Sequence, residues 1–80
     1  MSKKYLVNIE MSIDIHDITR ILNYSEQGWH CDRIDEFHSE LLICERTIEV
    51  ECEEATFPYY VKALSHMLPS DARLVWHDEA

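Results

Sequence analysis

The chain has 80 residues and is predicted to form a single domain, residues 1–80, whose small core buries about 60 to 65% of the unfolded surface. With 46% hydrophobic and 29% charged residues, the composition excludes a disordered chain. Sixteen acidic residues against seven basic ones give a net charge of -9. This charge excludes a generic binder of nucleic acid or anionic membranes, because phosphates would be repelled. The single glycine excludes a Gly-rich phosphate loop.

The N-terminal segment and the cysteines predict a cytoplasmic protein. Asn8 and Glu10 interrupt the first apolar segment, whereas a signal peptide needs about 7 to 15 consecutive apolar residues. No segment approaches the roughly 18 apolar residues of a membrane span. Three cysteines cannot all pair within one chain, and without a signal peptide they are expected to be reduced thiols. They are Cys31, Cys44 and Cys52, of which the last two are predicted to be core residues.

Alternation and spacing predict a strand and then a helix in the first 28 residues. Residues 4–13 alternate between apolar and polar side chains, as in a half-buried strand. The apolar face of this strand consists of Tyr5, Val7, Ile9, Met11 and Ile13. Asp14 is expected to cap a helix whose apolar residues recur at helical spacing, namely Ile15, Ile18, Ile21 and Leu22. Gly28 is expected to end that helix.

The middle of the chain contains one clear strand and one ambiguous segment. Residues 47–53 alternate strictly, with Ile48, Val50 and Cys52 on the apolar face, and predict a strand. The apolar residues between positions 34 and 48 are compatible with a helical face. They are equally compatible with one or two strands joined by a tight turn near residues 38–40. We favour the strands, because β-branched and aromatic residues cluster there and helix-cap signals are lacking.

The last third of the chain predicts a second helix and a short strand. The helix opens at residues 56–58, where proline is tolerated, and its apolar stripe consists of Phe57, Tyr60, Val61, Leu64, Met67 and Leu68. Residues 73–77 predict the final strand. The elements therefore indicate a small α+β domain with an antiparallel sheet of three to four strands and two helices. With two strands in the middle, their order is the split βαβ order of ferredoxin-like folds.

Nearly all of the net charge lies in residues 26–54, which carry ten acidic and two basic residues. Glu49, Glu51 and Glu53 share one face of the predicted strand at spacings of about 6.7 Å, and Glu54 extends the row. Each neighbouring pair costs about 0.6 kcal/mol in a medium as polar as water, so the fold tolerates the row. Because the row adds no stability, solubility and recognition remain as the reasons for it.

Two interpretations of this charge stay open. The carboxylates either keep a solvated strand face soluble and free of edge pairing, or form an anionic surface that enters a basic groove built for phosphates. In size and charge alone, the chain is similar to small acidic bacteriophage proteins that act on DNA- or RNA-handling enzymes of the host. We predict a non-enzymatic acidic interaction protein that binds and blocks a basic, nucleic-acid-binding protein or complex, in the manner of a phage-type DNA mimic that inhibits host defence.

The predicted partner-binding residues are the central acidic side chains and one aromatic side chain. They are Glu45, Glu49, Glu51, Glu53, Glu54, Asp32, Asp35, Glu36, Glu40 and Tyr59. Tyr59 falls off the helix stripe beside the acidic row, which is typical of an interface anchor. The alternative is a small regulatory or ligand-binding domain that forms a homodimer through a sheet edge.

Catalytic, metal and cofactor sites are not predicted. Asp14, His16 and Asp17 form the best candidate catalytic cluster, but helix capping explains Asp14 more simply. The five histidines and three cysteines lack the close pairs that a structural zinc site needs, since His30 and Cys31 are adjacent and the others are loosely spaced.

Overall fold

A computed structural model of the protein describes residues 1–78 as an α+β structure. Its elements, in chain order, are β1 (Ser2–Asp14), α1 (Ile18–Glu26), β2 (His30–Ile34), β3 (Leu41–Glu53), α2 (Phe57–Met67) and β4 (Arg73–Asp78). The four strands form one antiparallel sheet in the order β2-β3-β1-β4. The predicted α+β class, with two helices and four strands, is therefore confirmed.

Strand β1 has the alternation that the sequence predicts and extends further at both ends. The five apolar side chains predicted to face the core are all 5% exposed or less, and the residues between them, Leu6, Asn8, Glu10 and Ser12, are half-buried. Burial of one face fixes the register of a strand, because a shift by one residue would exchange its two faces.

Residues 30–53 form a hairpin, so the helical interpretation of the segment from 34 to 48 is wrong. β2 pairs antiparallel with β3, with His30 opposite Glu45 and Arg33 opposite Ile43, and the register shifts between these two pairs. A turn covering residues 35–40 joins the strands. β3 extends the predicted strand upstream to Leu41.

Helix α1 begins later than predicted and packs less tightly. Asp17, rather than Asp14, occupies the N-cap position, and its carboxylate accepts a hydrogen bond from the Arg20 backbone N–H at 3.3 Å. Ile18 and Leu22, predicted to face the core, are more than half exposed. Gly28 follows the end of the helix with a φ of 94°, in the left-handed region that favours glycine.

Helix α2 begins at Phe57 and packs against the rest of the protein mainly through that side chain. Phe57 is the only buried side chain of this helix, and it stacks on Tyr5 with ring centroids 3.8 Å apart. The Trp76 ring meets Phe57 edge-on at 5.8 Å. Met67, predicted for the apolar stripe, is exposed. Phe57 is therefore the main apolar anchor of α2.

The chain divides into two compact units, and each is described separately. The first unit contains Met1–Ile9 and, of the described residues, 47–78, and its aromatic cluster centres on Phe57. The second contains Glu10–Arg46, with Met11, Ile13, Ile43 and Cys44 buried. Trp29 is also buried there, against the edge of the Tyr24 ring.

The second unit contains a disulfide bond between Cys31 of β2 and Cys44 of β3. The expectation of three reduced thiols is therefore wrong for this pair. An odd number of cysteines excludes the pairing of all three, but it does not exclude a bond between two that lie on neighbouring strands. Cys44 is fully buried, as predicted. Cys52 is a free thiol and is only half-buried.

Candidate functional site

The predicted acidic residues fall into two groups, one in each unit. Glu49, Glu51, Glu53 and Glu54, here called the acidic row, belong to the first unit together with Tyr59. Asp32, Asp35, Glu36, Glu40 and Glu45, here called the acidic hairpin, belong to the second. The two groups differ in what surrounds their carboxylates.

The acidic row has the strand geometry that the sequence predicts. Glu49, Glu51 and Glu53 are exposed, whereas Val50 and Cys52 between them are buried and half-buried. The three carboxylates therefore share the solvent-exposed face of β3.

Cations and donors of the N-terminal segment contact this row. The α-amino group of the chain lies 3.0 Å from the Glu53 carboxylate, and the Lys4 ammonium lies 3.8 Å from that of Glu49. The Ser2 hydroxyl donates a hydrogen bond to Glu51 at 3.2 Å. These contacts are exposed, so each contributes little stability, but they offset the negative potential of the row.

Glu54, at the end of the row, is also paired. The Lys3 ammonium lies 3.4 Å from the Glu54 carboxylate and 3.8 Å from that of Asp78. The nearby Glu54 charge, followed by its hydrogen bond and by Asp78, raises the pKa of Lys3 above its ordinary value. Lys3 therefore remains a cation throughout the neutral range.

The acidic hairpin is organised by Asp35. Its carboxylate accepts hydrogen bonds from the backbone N–H groups of Phe37 and His38, at 2.8 and 2.9 Å. The Asp35 N–H donates to the Leu41 carbonyl, and the Leu41 N–H donates to the His38 carbonyl, both at 2.9 Å. Asp35 therefore holds the turn, as aspartate does in Asx-turns, and is not a free surface charge.

Three acidic side chains of the hairpin are exposed and form no ion pair with any residue between 1 and 78. They are Asp32, Glu36 and Glu40. Glu45 is half-buried and lies 3.6 Å from the Arg33 guanidinium, which also lies 3.4 Å from Glu10. Within residues 1–78, three carboxylates of the hairpin therefore have no cationic partner, whereas in the row only Glu51 lacks one, and it accepts the Ser2 hydrogen bond.

The two units also differ in net charge. The second unit carries nine acidic and three basic residues, a net charge of -6. The first carries six acidic and four basic residues within its described part, a net charge of -2. The negative potential is therefore concentrated in the second unit.

One exposed aromatic side chain was not predicted. Phe37 lies in the turn of the hairpin, between Glu36 and Glu40 in the sequence, and 83% of its surface is exposed. Asp35 is the sequence signal for this exposure. The carboxylate of an aspartate favours a turn by accepting a hydrogen bond from the backbone two residues further on, which here is that of Phe37. Tyr59 is 76% exposed, in agreement with its position off the α2 stripe.

The candidate catalytic cluster makes the hydrogen bonds of a turn and a helix cap. The Asp14 carboxylate accepts a bond from the His16 backbone N–H at 2.8 Å and lies 3.0 Å from His16 Nδ1. These two bonds, the backbone one first, lower the pKa of Asp14. With Asp17 engaged as the N-cap of α1, both carboxylates have structural roles.

The comparisons with known proteins add no relative. No family model matches the chain, and neither a curated protein nor a solved structure matches it. Within residues 1–78, no group of three or more histidine, cysteine, aspartate or glutamate side chains is arranged to hold a metal ion. Neither helix in that range is long and apolar enough to cross a membrane.

Proposed function

We propose that this protein is a non-enzymatic acidic interaction protein that binds and blocks a basic, nucleic-acid-binding protein or complex in the cytoplasm. The observation that carries the proposal is the set of exposed carboxylates of Asp32, Glu36 and Glu40, which pair with no cation among residues 1–78, in a unit with a net charge of -6. An anionic surface of this kind is steered toward cationic grooves and is repelled by nucleic acid itself.

The hairpin supports this function better than the acidic row does. The row is contacted by the α-amino group, Lys3 and Lys4, so a basic partner would compete with cations of the same chain. Among residues 1–78, the Asp32, Glu36 and Glu40 carboxylates of the hairpin have no such internal competitor. We therefore assign the primary contact to the hairpin and a secondary contact to the row.

Phe37 supplies the apolar part of the proposed contact. Interfaces gain most of their affinity from a few buried anchors, often aromatic, surrounded by polar groups. The Asp35 hydrogen bonds fix the turn that carries Phe37, which reduces the entropy lost on binding. Such a surface resembles that of a DNA mimic, in which carboxylates occupy phosphate positions, and this is the phage-type inhibitor that we propose.

We also propose that the fold is ferredoxin-like. The chain order is β-α-β-β-α-β, and the first and third strands occupy the centre of the sheet. This assignment concerns architecture alone, since many functions share that fold.

The function is tested by affinity capture from a bacterial lysate with three baits. The wild-type chain is compared with a hairpin variant, Asp32→Asn with Glu36→Gln and Glu40→Gln, and with a row variant, Glu49→Gln with Glu51→Gln and Glu53→Gln. Each variant removes three negative charges, so the two variants are matched in net charge. Capture is performed after nuclease treatment, at low salt, with elution by a salt gradient.

The proposal predicts that the wild-type bait retains a basic nucleic-acid-binding protein, which added duplex DNA displaces. The hairpin variant is expected to release this protein at lower salt than the row variant does. A wild-type bait that retains no such protein, or three baits that release it at the same salt concentration, would contradict the proposal.

A further inference from the structure

The Cys31–Cys44 disulfide bond is the main side-chain link between strand β2 and the core of the second unit. Cys31 is half-buried, whereas the other four residues of β2 are exposed. Cys44, at the other end of the bond, is fully buried. The Arg33 guanidinium also ties β2 to Glu10 and Glu45, but ion pairs this open to solvent contribute little stability. Without the disulfide bond, β2 therefore depends mainly on its backbone pairing.

The backbone pairing of β2 with β3 is irregular at the position of the disulfide bond. His30 lies opposite Glu45. Arg33, three residues further along β2, lies opposite Ile43, which is two residues from Glu45 along β3. Such a bulge leaves one residue unpaired and disrupts the hydrogen bonds around it. The covalent bond therefore joins the two strands where their hydrogen bonding is disrupted.

The proposed contact surface is carried by this hairpin. Asp32 belongs to β2, and the turn that joins β2 to β3 carries Glu36, Phe37 and Glu40. Because β2 and β3 hold the two ends of that turn, their pairing fixes the position of Asp32 relative to the turn. A partner that contacts all four side chains therefore binds the paired form of the hairpin.

We propose that the Cys31–Cys44 pair is a redox switch, which holds the acidic hairpin in its binding form when oxidised and releases β2 when reduced. This inference rests on the proposed function and adds the control of the same surface by the thiol redox state. Disulfide bonds of cytoplasmic proteins are usually transient and either catalytic or redox-sensing, which agrees with the compartment that we propose.

Reduction proceeds by thiol–disulfide exchange with a dithiol. A thiolate of the dithiol attacks the sulfur of Cys31, the more accessible of the two cysteines, and forms a mixed disulfide with it as the Cys31–Cys44 bond breaks. Cys44 leaves with the bonding electron pair and takes up a proton. The second thiol of the reductant then displaces Cys31, so two cysteine thiols form and the dithiol becomes a disulfide. A low-molecular-weight disulfide, such as that of glutathione, reverses the reaction by accepting the two electrons.

NMR of the chain alone tests the switch. A disulfide bond across a separation of 13 residues shifts a folding equilibrium by about two orders of magnitude, and we expect most of this change in the pairing of β2. The backbone NOE between His30 and Glu45 should fall about tenfold or more when dithiothreitol reduces the oxidised protein. Ring contacts between Tyr5 and Phe57, in the first unit, should persist. An unchanged NOE between His30 and Glu45, or the loss of both sets of contacts together, would overturn the proposal.

Two serine variants identify the thiols responsible. Cys31→Ser removes the bond and leaves Cys44 in place, so it should give the spectrum of the reduced protein with or without dithiothreitol. Cys52→Ser removes the free thiol and keeps the bond, so it should respond to dithiothreitol as the wild type does. Equal responses of the two variants to dithiothreitol would contradict the assignment of the switch to Cys31 and Cys44.

Affinity for the captured protein tests the consequence for binding. If about a tenth of the reduced hairpin remains paired, the apparent dissociation constant rises about tenfold, because only the paired form binds. Cys31→Ser should bind equally with and without dithiothreitol, which controls for effects of the reductant on the partner. Equal affinities of the oxidised and reduced wild-type chains would overturn the proposal. Failure to capture any partner would instead contradict the proposed function, and the NMR of the chain alone would still decide whether the bond acts as a switch.

Discussion

Replacing Phe57 with alanine should remove a large part of the stability of the protein. Phe57 is 5% exposed, stacks on Tyr5 and meets the edge of Trp76, and it is the only buried residue of α2. A buried aromatic side chain removes about 150 to 250 Å² from water, which at about 25 cal/mol per Å² gives an upper estimate of roughly 4 to 6 kcal/mol. Phe→Ala substitutions in cores cost about 3 to 5 kcal/mol, in line with that estimate.

The total stability of a chain of this length is about 4 to 12 kcal/mol, so Phe57→Ala removes about a quarter of it or more. Urea unfolding followed by circular dichroism measures the loss, with Tyr59→Ala on the same helix as the control. Because Tyr59 is 76% exposed, its truncation should change the free energy of unfolding by no more than about 0.5 kcal/mol. A loss below about 1 kcal/mol for Phe57→Ala, or equal losses for the two variants, would refute the packing described for α2.

Two further properties are predicted from the second unit. Without reductant, unfolded protein should show one reactive thiol, that of Cys52, and three thiols would contradict the pairing. Reduction of the Cys31–Cys44 bond, which spans a separation of 13 residues, should lower the free energy of unfolding by about 3 kcal/mol. NMR titration should place the pKa of Asp14 below 3.8, and His16→Ala should leave it below 3.8 because the hydrogen bond from the backbone N–H, the first cause, remains; a return to 3.8 would contradict this assignment. Since folding lowers this pKa, the stabilisation that it provides is present above the ordinary value and is lost as the pH falls through the lowered value.

The sequence predicts those strands whose burial is one-sided. Alternation identifies the segment from Tyr5 to Ile13 because burial of one face imposes a period of two residues. The same rule identifies residues 47–53 within β3. The turn of the hairpin is harder to predict from the sequence, because hydrogen bonds to the Asp35 carboxylate stabilise it and no glycine occurs in it.

Helix ends and helix burial are harder to predict from the sequence. Asp14 and Asp17 both precede the apolar residues of α1, and either satisfies the cap preference. Helical spacing shows that Ile18 and Leu22 share a side of the helix, but it does not show what covers that side, and both are exposed.

The interaction partners of the acidic residues are also hard to predict from the sequence. Their identity and clustering follow directly from the sequence, but their partners depend on the pairing of distant strands. The pairing of β1 with β3 brings Lys4 to Glu49 and the α-amino group to Glu53, whereas alternation within each strand shows only which residues share a face. We therefore propose the hairpin, rather than the acidic row, as the primary contact surface.

The account is tested most directly by the salt dependence of binding between this chain and the purified protein that it captures. At low salt, the hairpin variant, with Asp32, Glu36 and Glu40 neutralised, should bind about tenfold more weakly than the wild type, which corresponds to about 0.5 kcal/mol for each charge. Its affinity should also fall less steeply with salt than that of the charge-matched row variant. Equal affinities and equal salt slopes for the two variants would contradict the assignment of the hairpin as the primary contact.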